Sequence, residues 1–383
     1  MSTETTVTEV PSVANNENIL NLVDATLTNH GVVGEANLKK LLYLAITSRF
    51  LDKPVSVVVK GPSSCGKSFV LENVIKLFPE SAYVKLTSMS HKLLAHTTKS
   101  LEHKHIWINE AAGLPPEAEY LLRSLLSEGE IRYSFVEASK NGIAPRENVI
   151  KGPTGLLLTT TRNWLNKENE TRMLSVQIDD SPEQNAAVIE AGCIDWPNMD
   201  VAPWVEYQEW LVGQNHRAVI PFSRKIVTFI NSPVNRMKRD MNSLWRLIKT
   251  SAIIHQAHRS IDDQGNIVAT LDDYEMVRDL IENIISEGSS ASVNPGVIGV
   301  VHAVAELNRT VSIREIAEHL RCDKSAVSRH VASAISDGYL INDNLRRGGA
   351  YQIKLGAPLP ESANILPTKD QLLTETVEVE QEF

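Results

Sequence analysis

The chain is short of several things, and each shortage narrows what it can be. Its 383 residues include only three cysteines, Cys65, Cys193 and Cys322. Three scattered thiols make neither a disulfide framework nor a zinc ribbon, so a reduced, cytoplasmic protein is expected. No apolar run approaches the roughly 18–20 residues that span a bilayer, so no membrane partner is expected. The start, MSTETTVTEV, lacks the basic and apolar regions of a signal peptide. His91, His96, His103 and His105 crowd one stretch without a Cys or carboxylate pattern, which argues against a metal centre there. Basic charge is in deficit too: 38 Lys and Arg against 47 Asp and Glu give a net charge of −9. Taken whole, that opposes nucleic-acid binding.

What is present is ordinary for a folded chain: 42% hydrophobic and 22% charged residues, which excludes wholesale disorder. The length suits two to three domains. The negative charge, however, is concentrated at the ends. Residues 1–18 carry Glu4, Glu9 and Glu17 and no Lys or Arg; residues 358–383 carry Glu361, Asp370, Glu375, Glu378, Glu380 and Glu382 against Lys369. Both ends read as solvated, disordered acidic tails, leaving residues 19–357 nearly neutral.

Between the tails, hydrophobic periodicity predicts helices over 17–29 and Glu35 to Phe50. Val55–Val59 is a β-branched run that reads as a buried strand, followed by a Gly-containing loop and a helix from Ser68 to Leu77. Strands are expected near 83–87 and 105–109, a helix near 115–127, a hairpin from Ile131 to Ile150, and strands at Gly155–Thr160 and Met173–Ile178. Alternating strands and helices predict a three-layer parallel α/β fold over 19–182. A helical region is expected over 183–287, a Ser/Gly/Pro linker over 288–296 and a compact unit over 297–357.

The strongest motif is Gly61-Pro62-Ser63-Ser64-Cys65-Gly66-Lys67-Ser68, which fits G-x-x-x-x-G-K-[ST] at every fixed position. The glycines let backbone N–H groups wrap a phosphate chain, the lysine sets a charge against the β/γ-phosphates, and the serine hydroxyl reaches Mg²⁺. The preceding strand and following helix are the context this loop requires. Such a site also needs an acidic strand end to orient water. His105-Ile106-Trp107-Ile108-Asn109-Glu110 supplies Glu110 for that task, with Ser68 and Glu110 as metal-side residues. Asn109 stands where a metal-directed carboxylate is expected, and an amide brings no charge. Thr159-Thr160-Thr161 ends a strand whose hydroxyls can sense the γ-phosphate. Arg172 precedes the next strand and can serve a neighbouring subunit's phosphate.

With these residues the chain resembles the AAA+ ATPases, and more narrowly the minichromosome-maintenance-type helicases of bacterial mobile elements and phages, over roughly residues 31–258. Gly34-Glu35 with Leu38 to Leu42 is similar to the family's helix before the P-loop strand. The resemblance implies a P-loop AAA+ core with a helical lid, ATP and Mg²⁺ as cofactors, and Lys67, Glu110, Thr161 (or Thr160), Arg172 and Arg239 as catalytic residues. Thr161 falls at sensor 1, where the family has asparagine. Arg172 falls at the arginine finger, and Arg239, in Arg239 to Leu247, at the trans-acting sensor 2. Asp179 to Glu183 resembles the acidic turn after the finger strand. Ile131 to Ile143 matches a pre-sensor-1 hairpin, which implies that Lys140 at its tip, and secondarily Arg146, touches DNA. Lys140-Asn141-Gly142 is also a plausible hairpin turn by composition.

Residues 297–357 read as three short helices and a β-hairpin, resembling a winged helix-turn-helix. Ser312 and Glu315 form a capping-box pattern. Val327, Val331 and Ile335 recur every fourth residue and would face the core, leaving Lys324, Ser325, Ser328 and Arg329 for DNA, with Arg346 and Arg347 at the wing. The whole implies an ATP-dependent DNA helicase or translocase acting as a homo-oligomer, a hexameric ring, with primase or other replication proteins as partners. The alternatives are a nucleotide-switched helicase loader or initiator without unwinding, and a winged-helix regulator. The acidic C-terminal tail is expected to compete with DNA for the winged helix.

Overall fold

The protein is described by a computed structural model. It describes residues 10–86, 97, 100–110, 115–139, 142–161, 172–230, 237–292, 295–336, 338–344, 351–359 and 365–374. The chain divides into two compact units, Met1–Ser223 with Asn242–Leu280, and Arg224–Met241 with Ile281–Phe383.

The first unit is built on a parallel sheet. Helices α1 (Ile19–Thr28) and α2 (Ala36–Thr47) precede β1 (Val57–Lys60), and α3 (Lys67–Ile75) follows it. The chain then forms β2 (Tyr83–Leu86), β3 (Lys104–Ile108), α4 (Pro116–Glu128), the hairpin β4 (Glu130–Ser139) and β5 (Gly142–Lys151), β6 (Thr154–Thr160) and β7 (Leu174–Gln177). The sheet order is β2-β3-β6-β1-β7, and each of its pairings is parallel. The β-branched run at 57–59 therefore lies at the interior of the sheet, with every residue of β1 buried. This is the α/β P-loop architecture expected. One face of the sheet, through Val58, Ile106, Ile108, Leu156 and Leu158, packs on Ala118, Leu121, Leu122 and Leu125 of α4. Ile131 and Ile150 at the base of the hairpin join the same core.

Helices α5 (Pro182–Ala191), α6 (Ala202–Val212), α7 (Ser223–Thr228), α8 (Met237–Ile254) and α9 (Leu271–Ser292) follow. The helical stretch 183–287 contributes to both units. Within the first unit, buried Lys39 pairs with Asp24 at 2.6 Å and donates to Thr28 Oγ1 at 2.7 Å and to the Val32 carbonyl at 3.0 Å. This ties α1, α2 and the segment after α1 together.

The second unit includes α10 (Pro295–Leu307), α11 (Ile313–Leu320), α12 (Lys324–Ser336) and the antiparallel pair β8 (Leu340–Asn342) and β9 (Ile353–Leu355). Val311 adds an antiparallel bridge to Ile353. Val327, Val331 and Ala334 face a core shared with Val300, Val304, Ile316 and Tyr339.

Three local expectations change. The Ser/Gly segment read as a linker is helical as far as Ser292. A single Gly costs only about 1 kcal/mol in a helix and Ser less, so a well-nucleated amphipathic helix runs through them. At the N-terminus, Ser12–Asn15 forms a 3₁₀ turn with Val13 and Ala14 buried. At the C-terminus, α13 (Lys369–Thr374) follows Leu366, and Leu366 and Leu372 are buried. The acidic segments are therefore solvated over a shorter length than composition suggested.

Candidate nucleotide-binding site

The loop from β1 to α3 has the geometry its glycines require. Gly66 caps α3 in the left-handed region at φ +91°. At Gly61 a Cβ would meet Ile178 Cγ2 at 2.5 Å, so the loop closes against the strand end only because Gly61 has no side chain. Ser64 is held at φ +67°, an uncommon conformation for a non-glycine residue. Lys67 is buried, and its ammonium donates to the Gly61 carbonyl at 2.9 Å and to the Pro62 carbonyl. Cys65 Sγ lies 3.6 Å from the same ammonium. Ser68, one residue into the helix, is half-buried. The first N–H groups of α3 have no partner within their own helix, which makes the helix start a seat for anionic oxygens.

Strand order brings the other candidates to this edge. β6 lies between β1 and β3, so its C-terminal end bridges the P-loop and Glu110. Gly61 N–H donates to the Thr160 carbonyl at 3.3 Å. Glu110 N–H donates to Thr159 Oγ1 at 3.2 Å, and Thr160 Oγ1 donates to Glu110 Oε1 at 3.4 Å. Glu110 itself is exposed and takes φ +59°, which breaks the strand and turns its side chain out of the sheet. The hydroxyl that meets the Glu110 carboxylate is that of Thr160. Thr161, the first choice from the resemblance, sits exposed in a bend past the strand end.

The remaining candidates are spread more widely. Arg172 is half-buried, and its guanidinium donates to Ser127 Oγ at the end of α4. Arg239 is exposed near the start of α8. Lys140, Arg346 and Arg347 lie outside the described residues. Arg146 falls opposite Phe135 in the hairpin register, with its side chain outside the described part. On α12, Lys324, Ser325 and Arg329 are exposed and Ser328 is half-buried. Ser325 is already engaged: Asp323 caps the helix, accepting from Ser325 N–H at 2.8 Å and from the Ser325 hydroxyl. Those bonds hold the Asp323 carboxyl below its ordinary range. His103 and His105 contact the backbone carbonyls of Arg49 and Val55, while His91 and His96 lie outside the described residues.

Beside the P-loop is a cavity of about 410 Å³ that sequence reasoning missed. Ser64, Cys65, Gly66, Phe69 and Val70 form one wall, Gly31 to Val33 and Glu35 a second, and Ile178 with the segment from Gln184 to Trp196 a third. That size lies within the range of small-molecule pockets. Its walls are braced. Gln184 Nε2 donates to the Val33 carbonyl at 3.0 Å, Asp179 N–H donates to Glu35 Oε1 at 2.7 Å, and Trp196 Nε1 donates to the Ala191 carbonyl at 2.9 Å. A Cβ on Gly31 would meet Trp196 at 2.8 Å, so that glycine admits the indole. Burial raises the Glu35 carboxyl above its ordinary value, partly offset by the Asp179 N–H. An apolar slot with a few polar groups, opening beside an anion-binding helix start, suits a planar base joined to a phosphate chain.

A parallel sheet, a glycine-rich loop that feeds a helix from the end of β1, and a glutamate one strand removed define a P-loop domain, a fold that binds nucleotides. Residues 4–193 match the family described as the MTBMA_p00010 P-loop domain. The match includes the P-loop, Glu110, Thr160 and all but the last three positions of the cavity wall that ends at Trp196. No curated protein matches the chain. No helix among the described residues is long and apolar enough to cross a membrane.

Proposed function

We propose that the chain is an ATP hydrolase of the AAA+ kind that moves along or remodels DNA as a ring-shaped homo-oligomer. What carries this reading is the convergence of Lys67, Glu110 and Thr160 at one sheet edge beside a cavity of nucleobase size. Lys67 and the α3 N–H groups bind the β/γ-phosphates, and the cavity receives the base. Glu110 polarises the attacking water, and Thr160 holds the Glu110 carboxylate in reach. Arg172 would leave Ser127 to serve a neighbour's phosphate, with Arg239 as the second trans arginine. DNA contacts would come from the hairpin that carries Lys140 and from the second unit acting as a winged helix, where Lys324 and Arg329 are exposed. Replication of a mobile element or phage, with primase among the partners, is the setting this activity suits.

The test is ATP hydrolysis by the full chain with and without forked DNA, alongside a strand-displacement assay. DNA should stimulate turnover, and Lys67→Ala should abolish it. Equal hydrolysis with and without DNA would sink the motor reading. A second reading, a nucleotide-switched loader that recruits another helicase, is favoured by Asn109 at the metal-side position. Nucleotide binding without strand displacement would select it.

A further inference from the structure

Asn109 follows β3 where a metal-directed carboxylate is expected, and its carboxamide is not free to turn. Its Oδ1 lies 2.8 Å from the indole Nε1 of Trp107. An indole N–H only donates, so the atom facing it must be the amide oxygen, and the amide NH₂ is turned away. Trp107 is itself fixed: it is 2% exposed, Lys85 Nζ lies 4.0 Å from its ring centroid, and Tyr83 packs edge-on with ring centroids 6.3 Å apart.

The same contacts locate Asn109 relative to the P-loop helix. The Trp107–Asn109 hydrogen bond places both side chains on the same side of the sheet. Lys85, which covers the Trp107 ring, also pairs with Glu72 of α3 at 3.1 Å. The α3 side of the sheet is therefore the side of Asn109, while Ile106 and Ile108 face α4. A hydrated Mg²⁺ at this edge would find the Ser68 hydroxyl, but the Glu110 carboxylate is turned out of the sheet onto Thr160 and no carboxylate stands at the Asn109 position. Magnesium sites draw on one or two carboxylates besides the phosphates. The amide has no charge, one lone pair of its oxygen is taken by the indole, and its NH₂ is a donor. These donors do not fit a strong magnesium site; they fit phosphate oxygens.

We infer that Asn109, oriented by Trp107, donates hydrogen bonds to the phosphates of a bound nucleoside triphosphate, so that this P-loop binds its nucleotide with little help from divalent metal. Trp107 is then a positioning residue. The inference rests on the nucleotide-binding reading above and adds a property that reading does not contain.

The experiment is equilibrium binding of a fluorescent ATP analogue to the full chain, in Mg²⁺ or in EDTA. Wild type, Asn109→Asp and Trp107→Phe are compared. Wild-type affinity should differ by less than about threefold between the two conditions. Asn109→Asp is nearly isosteric and should bind at least about tenfold tighter in Mg²⁺ than in EDTA, because the carboxylate repels bare phosphate and welcomes the cation. Trp107→Phe keeps an aromatic ring, with some loss of packing, but frees the amide, and should weaken binding in EDTA by about threefold or more when measured well below the variant's own melting temperature. A tenfold or larger metal dependence in wild type, or an Asn109→Asp variant that behaves like wild type, overturns the inference while leaving nucleotide binding intact. A Trp107→Phe variant that binds like wild type in EDTA removes the positioning role. Absence of binding in both conditions overturns the nucleotide reading itself, and the inference with it.

Discussion

The hydroxyls of Thr159 and Thr160 do different work at the end of β6. Thr159 accepts the Glu110 N–H and so helps fix the left-handed turn that aims the glutamate, whereas Thr160 donates to the glutamate's carboxylate. Thr160 also offers its carbonyl to Gly61 N–H, so one residue touches both the P-loop and Glu110. Thr160→Val keeps the shape and removes the hydroxyl. It should lower ATP turnover by about tenfold, on the order of the 1.4 kcal/mol a charged hydrogen bond contributes, with nucleotide affinity little changed. Thr161→Ala, in an exposed bend, should leave turnover as it is; the reverse pattern in single-turnover hydrolysis would return the role to Thr161. The motif Gly61 to Ser68 was legible because its chemistry is local and strand, loop and helix are contiguous. Which of three consecutive threonines faces Glu110 was not, because that depends on strand register and on where β6 ends. The cavity was less legible still. Its walls come from Gly31 to Glu35, from the P-loop and from Ile178 to Trp196, segments whose joining no local pattern encodes.

At the scale of single elements, sequence signals succeeded where one turn of chain contains the whole interaction. Ser312 and Glu315 form a complete capping box at the start of α11. Ser312 Oγ accepts Glu315 N–H at 3.3 Å, and Glu315 Oε2 accepts Ser312 N–H at 2.7 Å. Arg309 adds an ion pair to Glu315 at 2.7 Å. The Ser312 N–H, with the Arg309 guanidinium and the Ser312 hydroxyl behind it, pulls the Glu315 carboxyl down to about 2. A carboxyl whose folded value lies below its unfolded one stabilises the fold above the unfolded value, and that contribution fades as pH drops toward 2. Ser312→Ala removes the N-cap hydroxyl and should cost the second unit about 1 kcal/mol. Protection of the α11 amides, taken relative to the intrinsic exchange rate at each pH, should fall between neutral pH and pH 3 in wild type, and change less in Glu315→Gln. Equal pH sensitivity in both proteins would assign the effect elsewhere. The Gly288 to Ser292 stretch shows the opposite limit. Composition read it as a linker, yet it continues α9, because a helix already nucleated over Leu271 to Ser286 tolerates weak formers at its end.

Across the whole molecule the net charge of −9 divides unevenly, and the structure refines where the division falls. The C-terminal acidic segment is anchored over Ile365 to Thr374. Leu366 and Leu372 are buried. The carboxylate of Glu282 accepts the N–H groups of Ile365, at 2.5 Å, and Leu366, at 3.2 Å. If the second unit binds DNA as proposed, the acidic groups past Thr374 that would compete for it are Glu375, Glu378, Glu380 and Glu382. Two truncations separate anchor from charge. Ending the chain after Thr374 leaves the anchor whole and removes four negative charges. DNA affinity should rise a few-fold at low salt, and the gain should shrink as salt is added, since exposed charges are screened beyond about 10 Å at 0.1 M. Removing 358–383 also strips two backbone donors from Glu282 and uncovers the surface under Leu366 and Leu372. Loss of such burial and hydrogen bonding costs a few kcal/mol, so that protein should melt lower, whatever its DNA affinity. Unchanged affinity in the shorter truncation, across the salt series, would dispose of tail competition. Unchanged melting in the longer one would mean that the contact with Glu282 holds the end of the chain without supporting the unit.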